Sequence, residues 1–314
     1  MGIVLALLGS AAPGCRHEDD APAVREPERR AVRTIELPGA SLSVAVGEGA
    51  VWVANFEDSS VLRIDPRSLE IVAEIPVGLG PFGVATGEGS VWVVCRDGTA
   101  RRIDPRSNAQ AGKPIRLDGR PMAVATGAGF VWAHKTITGT LAKIDARTNR
   151  LVSESRQIIQ RAKATSDYAS VVVSAGSVWV ISPSEGKVVR VDPRSNRPVA
   201  NIPVGAGPAA LAIAENTVWV GNLDDGTVTR IDTRTNRRIG DPISVGGRPA
   251  GLAIGGGSVW VASGTGGVTR LDPETGTPKG DPMDIPGRLQ ALAFGEGAAW
   301  VVEQDAPTLT RIEP

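Results

Sequence analysis

Three arginines and one aspartate recur at one position of a repeating pattern. Each of the seven tryptophans is preceded, twelve residues earlier, by a residue that is small in three cases and charged in the other four, which are Arg120, Asp167, Arg248 and Arg288. Guanidinium groups present a rigid fork of donors that suits a carboxylate or phosphate. The pattern predicts that the three arginines bind an anionic ligand, with Asp167 as a further candidate for ligand binding. Alternatively, the arginines are solvated surface side chains.

A histidine provides the second candidate chemistry. His134 lies two residues after its tryptophan, where the other six units carry only Ala, Val, Ile or Gly. A histidine at such a sheltered position needs a hydrogen-bond partner or a ligand for its ring nitrogens. His134 is therefore either a structural histidine with an internal partner or a general base. Lys135, next to it, is a further candidate for ligand binding.

The one tyrosine of the chain lies in a longer repeat. The interval from Trp132 to Trp179 is 47 residues instead of 40 or 41, and the extra residues fall near Tyr168. An enlarged loop on a rigid scaffold is a common place for a binding site, although it can equally be an idle insertion. If the protein is an enzyme, Tyr168 and Glu303 join His134 as catalytic candidates. The Cys/His spacing of zinc sites does not occur, and we predict no metal site.

The tryptophans also reveal the elements that must position these residues. They follow one another at intervals of 40, 40, 47, 40, 41 and 40 residues, as Trp52, Trp92, Trp132, Trp179, Trp219, Trp260 and Trp300. A second phrase of the type Arg-Ile-Asp-Pro-Arg keeps step with them. A period near 40 with Gly-rich turns and β-branched runs is typical of β-propeller blades.

Each unit contains four short runs of alternating apolar residues, which predicts four antiparallel strands. The seventh unit ends after its third run, and residues 32–37 match the missing outer strand. Closing the ring in this way removes open sheet edges. We therefore predict an all-β, seven-bladed propeller over residues 31–314, with four-stranded blades and with an N-terminal strand that completes blade seven. The tryptophans are predicted to be structural and to pack against the neighbouring blade.

Composition limits the classes of partner. The 314 residues include 34 Lys and Arg against 34 Asp and Glu, so no overall field attracts nucleic acid or an anionic membrane. Aromatic residues make up only 4% of the chain, which leaves few stacking platforms for single-stranded nucleic acid. We predict no nucleic-acid partner and no cofactor, and we expect a monomer.

The first thirty residues differ from the rest. Residues 1–15 are apolar and end in small residues before Cys15, whereas residues 16–30 are charged and contain proline. We interpret the first stretch as an export signal and the second as a flexible tether. The segment Ala-Pro-Gly-Cys resembles a bacterial lipoprotein signal, although its first two residues depart from Leu-Ala-Gly-Cys and no basic residue precedes it. The resemblance implies lipidation of Cys15 in the cell envelope, with membrane contact through the lipid alone.

The repeat itself, NRVxxxIPVGxGP, LAxGxGSVWVxN and GTVxRIDPxTN in succession, resembles the YVTN-type propeller repeat of secreted bacterial proteins. These are the YncE-like group and its relatives, the streptogramin lyases of the virginiamycin B lyase type. The resemblance covers residues 31–314 and implies fold more than function, because propellers host binding proteins and enzymes alike. The lyases use histidine and glutamate with magnesium. His134 is the only histidine after residue 30, so a paired-histidine site cannot form.

Three functions follow as expectations. The first is an exported, non-catalytic binding protein with a small anionic ligand or an acidic peptide at the channel mouth. The second is a lyase- or hydrolase-type enzyme that uses His134, with Mg²⁺ if the lyase resemblance extends to activity. The third is a platform for protein–protein interaction in the cell envelope.

Overall fold

The computed structural model describes residues 32–160, 168–174 and 176–314. The predicted export signal, the tether, Cys15 and Asp167 lie outside these ranges. In the described ranges, no helix is long and apolar enough to cross a membrane.

Short strands joined by tight turns form seven antiparallel sheets, which are the blades of a propeller. Strand β1 (Val32–Glu36) comes first in the chain. Blade one follows with β2 (Ser41–Gly47), β3 (Ala50–Asn55), β4 (Ser60–Ile64) and β5 (Ile71–Pro76). Blade two contains β6 (Pro81–Gly87), β7 (Ser90–Cys95), β8 (Thr99–Asp104), β9 (Ala109–Gln110) and β10 (Ile115–Arg116). Blade three contains β11 (Ala123–Gly127), β12 (Phe130–Lys135), β13 (Thr140–Asp145) and β14 (Arg150–Glu154).

The second half of the ring repeats this order. Blade four contains β15 (Val171–Ser174), β16 (Ser177–Ser182), a 3-10 turn (Pro183–Glu185), β17 (Lys187–Asp192) and β18 (Arg197–Pro203). Blade five contains β19 (Pro208–Ala214), β20 (Thr217–Asn222), β21 (Thr227–Asp232), β22 (Arg237–Arg238) and β23 (Ile243–Ser244). Blade six contains β24 (Pro249–Gly255), β25 (Ser258–Ser263) and β26 (Val268–Leu271), and blade seven contains β27 (Leu289–Gly295), β28 (Ala298–Glu303) and β29 (Thr308–Ile312).

The blades differ mainly in their outer strands. In blades two and five the outer strand is broken into two short pieces, β9 with β10 and β22 with β23. In blade six it is reduced to the isolated bridges of Val268 with Met283 and of Leu271 with Pro278. The inner three strands are present in every blade, so the prediction of an all-β, seven-bladed propeller is confirmed.

The ring is closed by the N-terminal strand. Strand β1 pairs antiparallel with β29, in a register that runs from Val32 opposite Ile312 to Glu36 opposite Thr308. The inner strands of successive blades contact one another all the way round, including β27 of blade seven with β2 of blade one. The predicted closure is therefore confirmed, and the N-terminal strand covers an edge that would otherwise stay open.

The tryptophans form the joints between blades. All seven are at most 1% exposed. Trp52 of blade one packs in one cluster with Val84, Val91 and Val93 of blade two, and the other blades repeat this arrangement. The tryptophans are thus buried where neighbouring blades pack together.

The Arg-Ile-Asp phrase contributes to the same joints. The guanidinium of Arg63 lies 5.4 Å from the ring centroid of Trp52, and its Nη1 donates to the carbonyl of Pro105 in blade two at 2.8 Å. Arg190 does the same between blades four and five, with Nη1 donating to the carbonyl of Thr233 at 2.9 Å. In both cases an arginine lies over the tryptophan of its own blade. Its guanidinium donates to a carbonyl in a turn of the following blade and so links the two blades.

Candidate functional site

A cavity of about 810 Å³ opens where the inner strands of all seven blades begin. Most of its lining comes from the inner strands, and the rest comes from the loops that precede them and the loops that follow the tryptophan strands, which is the face predicted from the sequence. One residue from each blade, ten positions before its tryptophan, lines it: Leu42, Phe82, Met122, Ala169, Ala209, Ala250 and Gln290. We refer to this space as the mouth cavity.

The mouth cavity has two unlike sides. Blades one to three present the bulky apolar side chains Leu42, Phe82 and Met122. Blades four to six present alanine at the same position of the repeat. The strands behind both sides are equivalent, so this asymmetry lies in the side chains.

The bulky side carries an aromatic pair and two arginines. The ring centroids of Phe56 and Phe82 are 5.2 Å apart, and the Arg120 guanidinium lies 6.0 Å from the centroid of Phe82. Arg96, on the loop after the tryptophan strand of blade two, also lines the cavity. An apolar surface is thus placed directly beside two cationic groups that donate hydrogen bonds in a fixed plane.

A glycine permits this arrangement. Gly80 has a φ of 55°, in the left-handed region that favours glycine. A Cβ at this position would lie 2.8 Å from Cε2 of Phe56 and 3.2 Å from Cβ of Arg96. The absence of a side chain at Gly80 therefore leaves room for both Phe56 and Arg96 on the rim.

Tyr168 belongs to the other side. It lines the cavity and packs against a small cluster formed by Ala209, Leu223 and Ala250 of blades five and six. The small residues of these blades therefore leave room for the tyrosine ring. The cavity lies between a phenylalanine pair and a tyrosine.

Charge in the cavity is sparse. Among the lining residues that the structure describes, the charged side chains are Arg96, Arg120 and Asp305. The hydroxyls of Ser43 and Ser170 accept hydrogen bonds from neighbouring backbone amides at 3.3 and 3.1 Å, respectively. These hydroxyls join inner strands, and Arg96 and Arg120 are the cationic donors that the described lining offers to an anion.

The structure brings only one of the three predicted arginines into the mouth cavity. Arg120 folds inward over Phe82, whereas Arg248 is about half exposed and its Nη2 donates to Asp224 at 3.0 Å. Arg288 is exposed and does not belong to the cavity lining. Sequence comparison missed Arg96. The signal was present, because Phe56, Arg96 and Gln304, each four residues after its tryptophan, all line the cavity.

His134 is fully buried behind the cavity wall. It is 0% exposed, and its strand neighbour across the sheet is Ala123. Burial lowers the pKa of His134 to about 3, opposed only by the backbone of Ser170. This contact falls short of hydrogen-bond geometry, and no described group makes a well-formed hydrogen bond to Nδ1 or Nε2. The ring is therefore neutral and does not reach the cavity.

Lys135 and Glu303 also have internal partners. Lys135 is 1% exposed, and its Nζ lies 2.7 Å from Oε2 of Glu154 and donates to the carbonyl of Asp118. Glu303 is half-buried and accepts a hydrogen bond from Oγ1 of Thr308 at 3.3 Å. Neither residue lines the mouth cavity. Of the three catalytic candidates, only Tyr168 does so.

Other reactive groups are also internal. Cys95 is buried as a free thiol, and burial raises its pKa to about 11. In residues 32–160, 168–174 and 176–314, no three His, Cys, Asp or Glu side chains come together as they would to hold a metal ion.

Comparison with known proteins gives a likeness of fold. No protein-family model matches the chain, and no curated protein matches it in sequence. The virginiamycin B lyase from Staphylococcus aureus is similar in structure, with a TM-score of 0.76 and 14% identity over 91% of this chain and 99% of the lyase. A catalytically inactive variant of that lyase with quinupristin gives a TM-score of 0.75 and 15% identity over 91% and 99%.

A further solved structure is similar to about the same degree. U3-55K has a TM-score of 0.75 and 13% identity, over 90% of this chain and 98% of its own. Identities this low establish the propeller fold alone.

Proposed function

We propose that this protein binds a small organic anion with an apolar body in the mouth cavity. The observation that carries the proposal is the Arg120 guanidinium over the ring of Phe82, beside Phe56 and Arg96. A carboxylate or phosphate group would be held by the arginines, and the apolar body would pack between the phenylalanine pair and Tyr168. Ligand sites are commonly concave and apolar with a few placed polar groups.

The charge balance supports an organic anion over a bare inorganic one. Two arginines are set against Asp305 in the described lining, so the net positive charge is small. A strongly hydrated phosphate would find few donors, whereas an apolar carboxylate would also gain from burial of its hydrocarbon surface. For the same reason a compact ligand is favoured over a long acidic peptide.

Calorimetric titration with 2-naphthoate tests the proposal, with 2-naphthalenemethanol as the uncharged analogue. A charge-assisted hydrogen bond contributes about 1.5–3 kcal/mol, so Arg120→Gln should weaken naphthoate binding by roughly ten- to a hundredfold. The neutral analogue should bind wild type and Arg120→Gln about equally. Arg248→Gln is the matched control, because Arg248 lies outside the cavity lining. Equal naphthoate binding by the wild type and Arg120→Gln, or no binding by either, would contradict the proposal.

A lyase- or hydrolase-type enzymatic function is the second candidate, because the fold is similar to that of a lyase. In that case His134 would be the base, with Tyr168 or Glu303 as its partner and with Mg²⁺, although Glu303 does not line the mouth cavity. Burial of His134 disfavours this role, since a general base must come within hydrogen-bond reach of its substrate. Incubation with quinupristin and Mg²⁺, followed by mass spectrometry, tests it. Conversion that is lost in His134→Ala would establish the lyase and displace the binding role.

The proposal extends to location. An apolar stretch before Cys15 supports export to the cell envelope and lipidation of that cysteine, with the propeller as a monomer. Labelling of expressing bacteria with a clickable palmitate analogue, with Cys15→Ser as the control, tests the lipid. If a stoichiometric protein partner is then recovered from the envelope and naphthoate does not bind, the interaction-platform function would be favoured.

A further inference from the structure

A second cavity of about 720 Å³ lies on the rim between blades one and two. Ala40, Phe56 and Arg96 line both this space and the mouth cavity. Leu79, Gly80, Glu57 and Asp97 complete its described lining. We call it the rim groove. Because three residues are shared, the rim groove is an extension of the mouth cavity along Phe56.

Leu79 is unusual for its place in the repeat. It lies thirteen residues before its tryptophan, where the other six units carry glycine, alanine or serine. It is 70% exposed, more than any other large apolar side chain described. Single exposed leucines are common on protein surfaces. This one, however, is specific to one blade and lies in a groove that leads to two cationic side chains.

Phe56 is equally specific to its blade. It lies four residues after its tryptophan, where the other units carry Arg, Thr, Pro, Leu, Gly and Gln. Its ring packs on Phe82 in the mouth cavity and lines the rim groove as well. Phe56 therefore provides a continuous apolar surface from one space to the other.

The two carboxylates of the rim groove have internal partners. Oε2 of Glu57 accepts a hydrogen bond from the amide of Ala40 at 3.2 Å. Asp97 accepts from Oγ1 of Thr99 at 2.6 Å and from Nη2 of Arg101 at 3.1 Å. These bonds hold the carboxylates to the loops, and the apolar groups Leu79 and Phe56 are left for a ligand.

We infer that the ligand is an elongated amphipathic carboxylate. Its head binds Arg120 and Arg96 in the mouth cavity, and its apolar tail passes over Phe56 into the rim groove and ends against Leu79. This inference rests on the proposed function, because the head group defines where the tail begins. It assigns the rim groove as the site for the tail of the same ligand. It also restricts the ligand class to anions with a flexible or flat apolar arm.

A homologous series of ω-phenylalkanoates, from phenylacetate to 8-phenyloctanoate, tests the inference by calorimetry on the whole protein. Each methylene that enters the rim groove should tighten binding by about two- to fourfold. Leu79→Ala gives blade two the residue of Ala206 in blade five. It should remove most of this gain for the long members and leave phenylacetate unchanged. Val199→Ala is the matched control, because Val199 is 59% exposed and lies on β18, far along the ring.

The outcomes separate the two proposals. If binding depends on Arg120 but not on tail length, or if Leu79→Ala leaves the gain intact, the rim groove is not a tail site and the proposed function stands. If no member of the series binds, or if Arg120→Gln binds all members as wild type does, both proposals are wrong. A length-dependent gain that Leu79→Ala abolishes and Val199→Ala retains would support both.

Discussion

The two sides of the mouth cavity come from the same repeat but are lined differently. Blades one to three offer Leu42, Phe82 and Met122, and blades four to six offer alanine at the same position. The tryptophan joints behind them are alike and fully buried in both halves. The repeat is therefore uniform where it packs and variable where it faces the channel.

This difference separates the requirements of folding from those of function. Blades five and six form regular sheets with Ala209 and Ala250 at the mouth, so the fold does not require a large side chain there. Phe82 is only half-buried and lines the mouth cavity, so part of its ring offers apolar contact to a ligand there. We take the bulky side to be adapted to a ligand.

His134 lies at the seam between the two sides and should give the largest effect. Blades two and seven carry Val94 and Val302 at its position, and both are fully buried. A buried polar group without a partner costs about 1–3 kcal/mol. His134→Val should therefore raise the free energy of unfolding by about this amount at pH 7.5, as urea denaturation would measure.

The same variant should change the pH dependence of stability. Burial lowers the pKa of His134 to about 3 in the folded protein from its ordinary value of 6.5, so the unfolded chain takes up a proton that the folded chain does not. Stability is thus lost as the pH falls below 6.5, by about 1.4 kcal/mol per unit. Between pH 7.5 and 5, wild type should lose about 2 kcal/mol more than His134→Val. Parallel losses would mean that His134 has a partner in solution.

Phe82→Ala should produce the next largest effect, because it gives blade two the small residue of blades five and six. The variant removes the ring beneath Arg120 and the partner of Phe56. We expect naphthoate to bind about tenfold more weakly, since burial of a large side chain is worth about 1.5–3 kcal/mol. Calorimetry should be done well below the melting temperature of the variant, so that partial unfolding does not lower the measured affinity. Unchanged affinity would mean that the bulky side is not the ligand wall.

The fold was predictable because the same sequence pattern recurs in seven consecutive units. The tryptophan interval and the alternation in each unit predicted blades, and the truncated seventh unit predicted that residues 32–37 close the ring, as β1 does. The weak outer strand of blade six was not foreseen. Pro278, Pro282 and Pro286 lie in that segment, and proline lacks the amide that a ladder needs.

The site was predictable only in part, since it depends on side-chain direction. Comparison of repeats placed Arg120 correctly at the mouth, but it could not show that Arg248 extends to Asp224 instead. It marked His134 as sheltered, which the structure confirms. It could not identify the internal partner of Lys135, because Glu154 is nineteen residues away in sequence and is brought close by the outer strand.

Tyr168 gives the smallest predicted effect and the sharpest choice between binding and catalysis. Its ring packs on Ala209 and Ala250 and forms the wall opposite Phe82. If the ring alone matters, Tyr168→Phe should bind naphthoate within about twofold of wild type, whereas Tyr168→Ala should bind it about fivefold more weakly because apolar contact is lost. If Phe and Ala weaken binding equally, the hydroxyl contacts the ligand directly. If quinupristin is converted and Tyr168→Phe stops it, the hydroxyl transfers a proton, and the small side of the mouth would be the catalytic one.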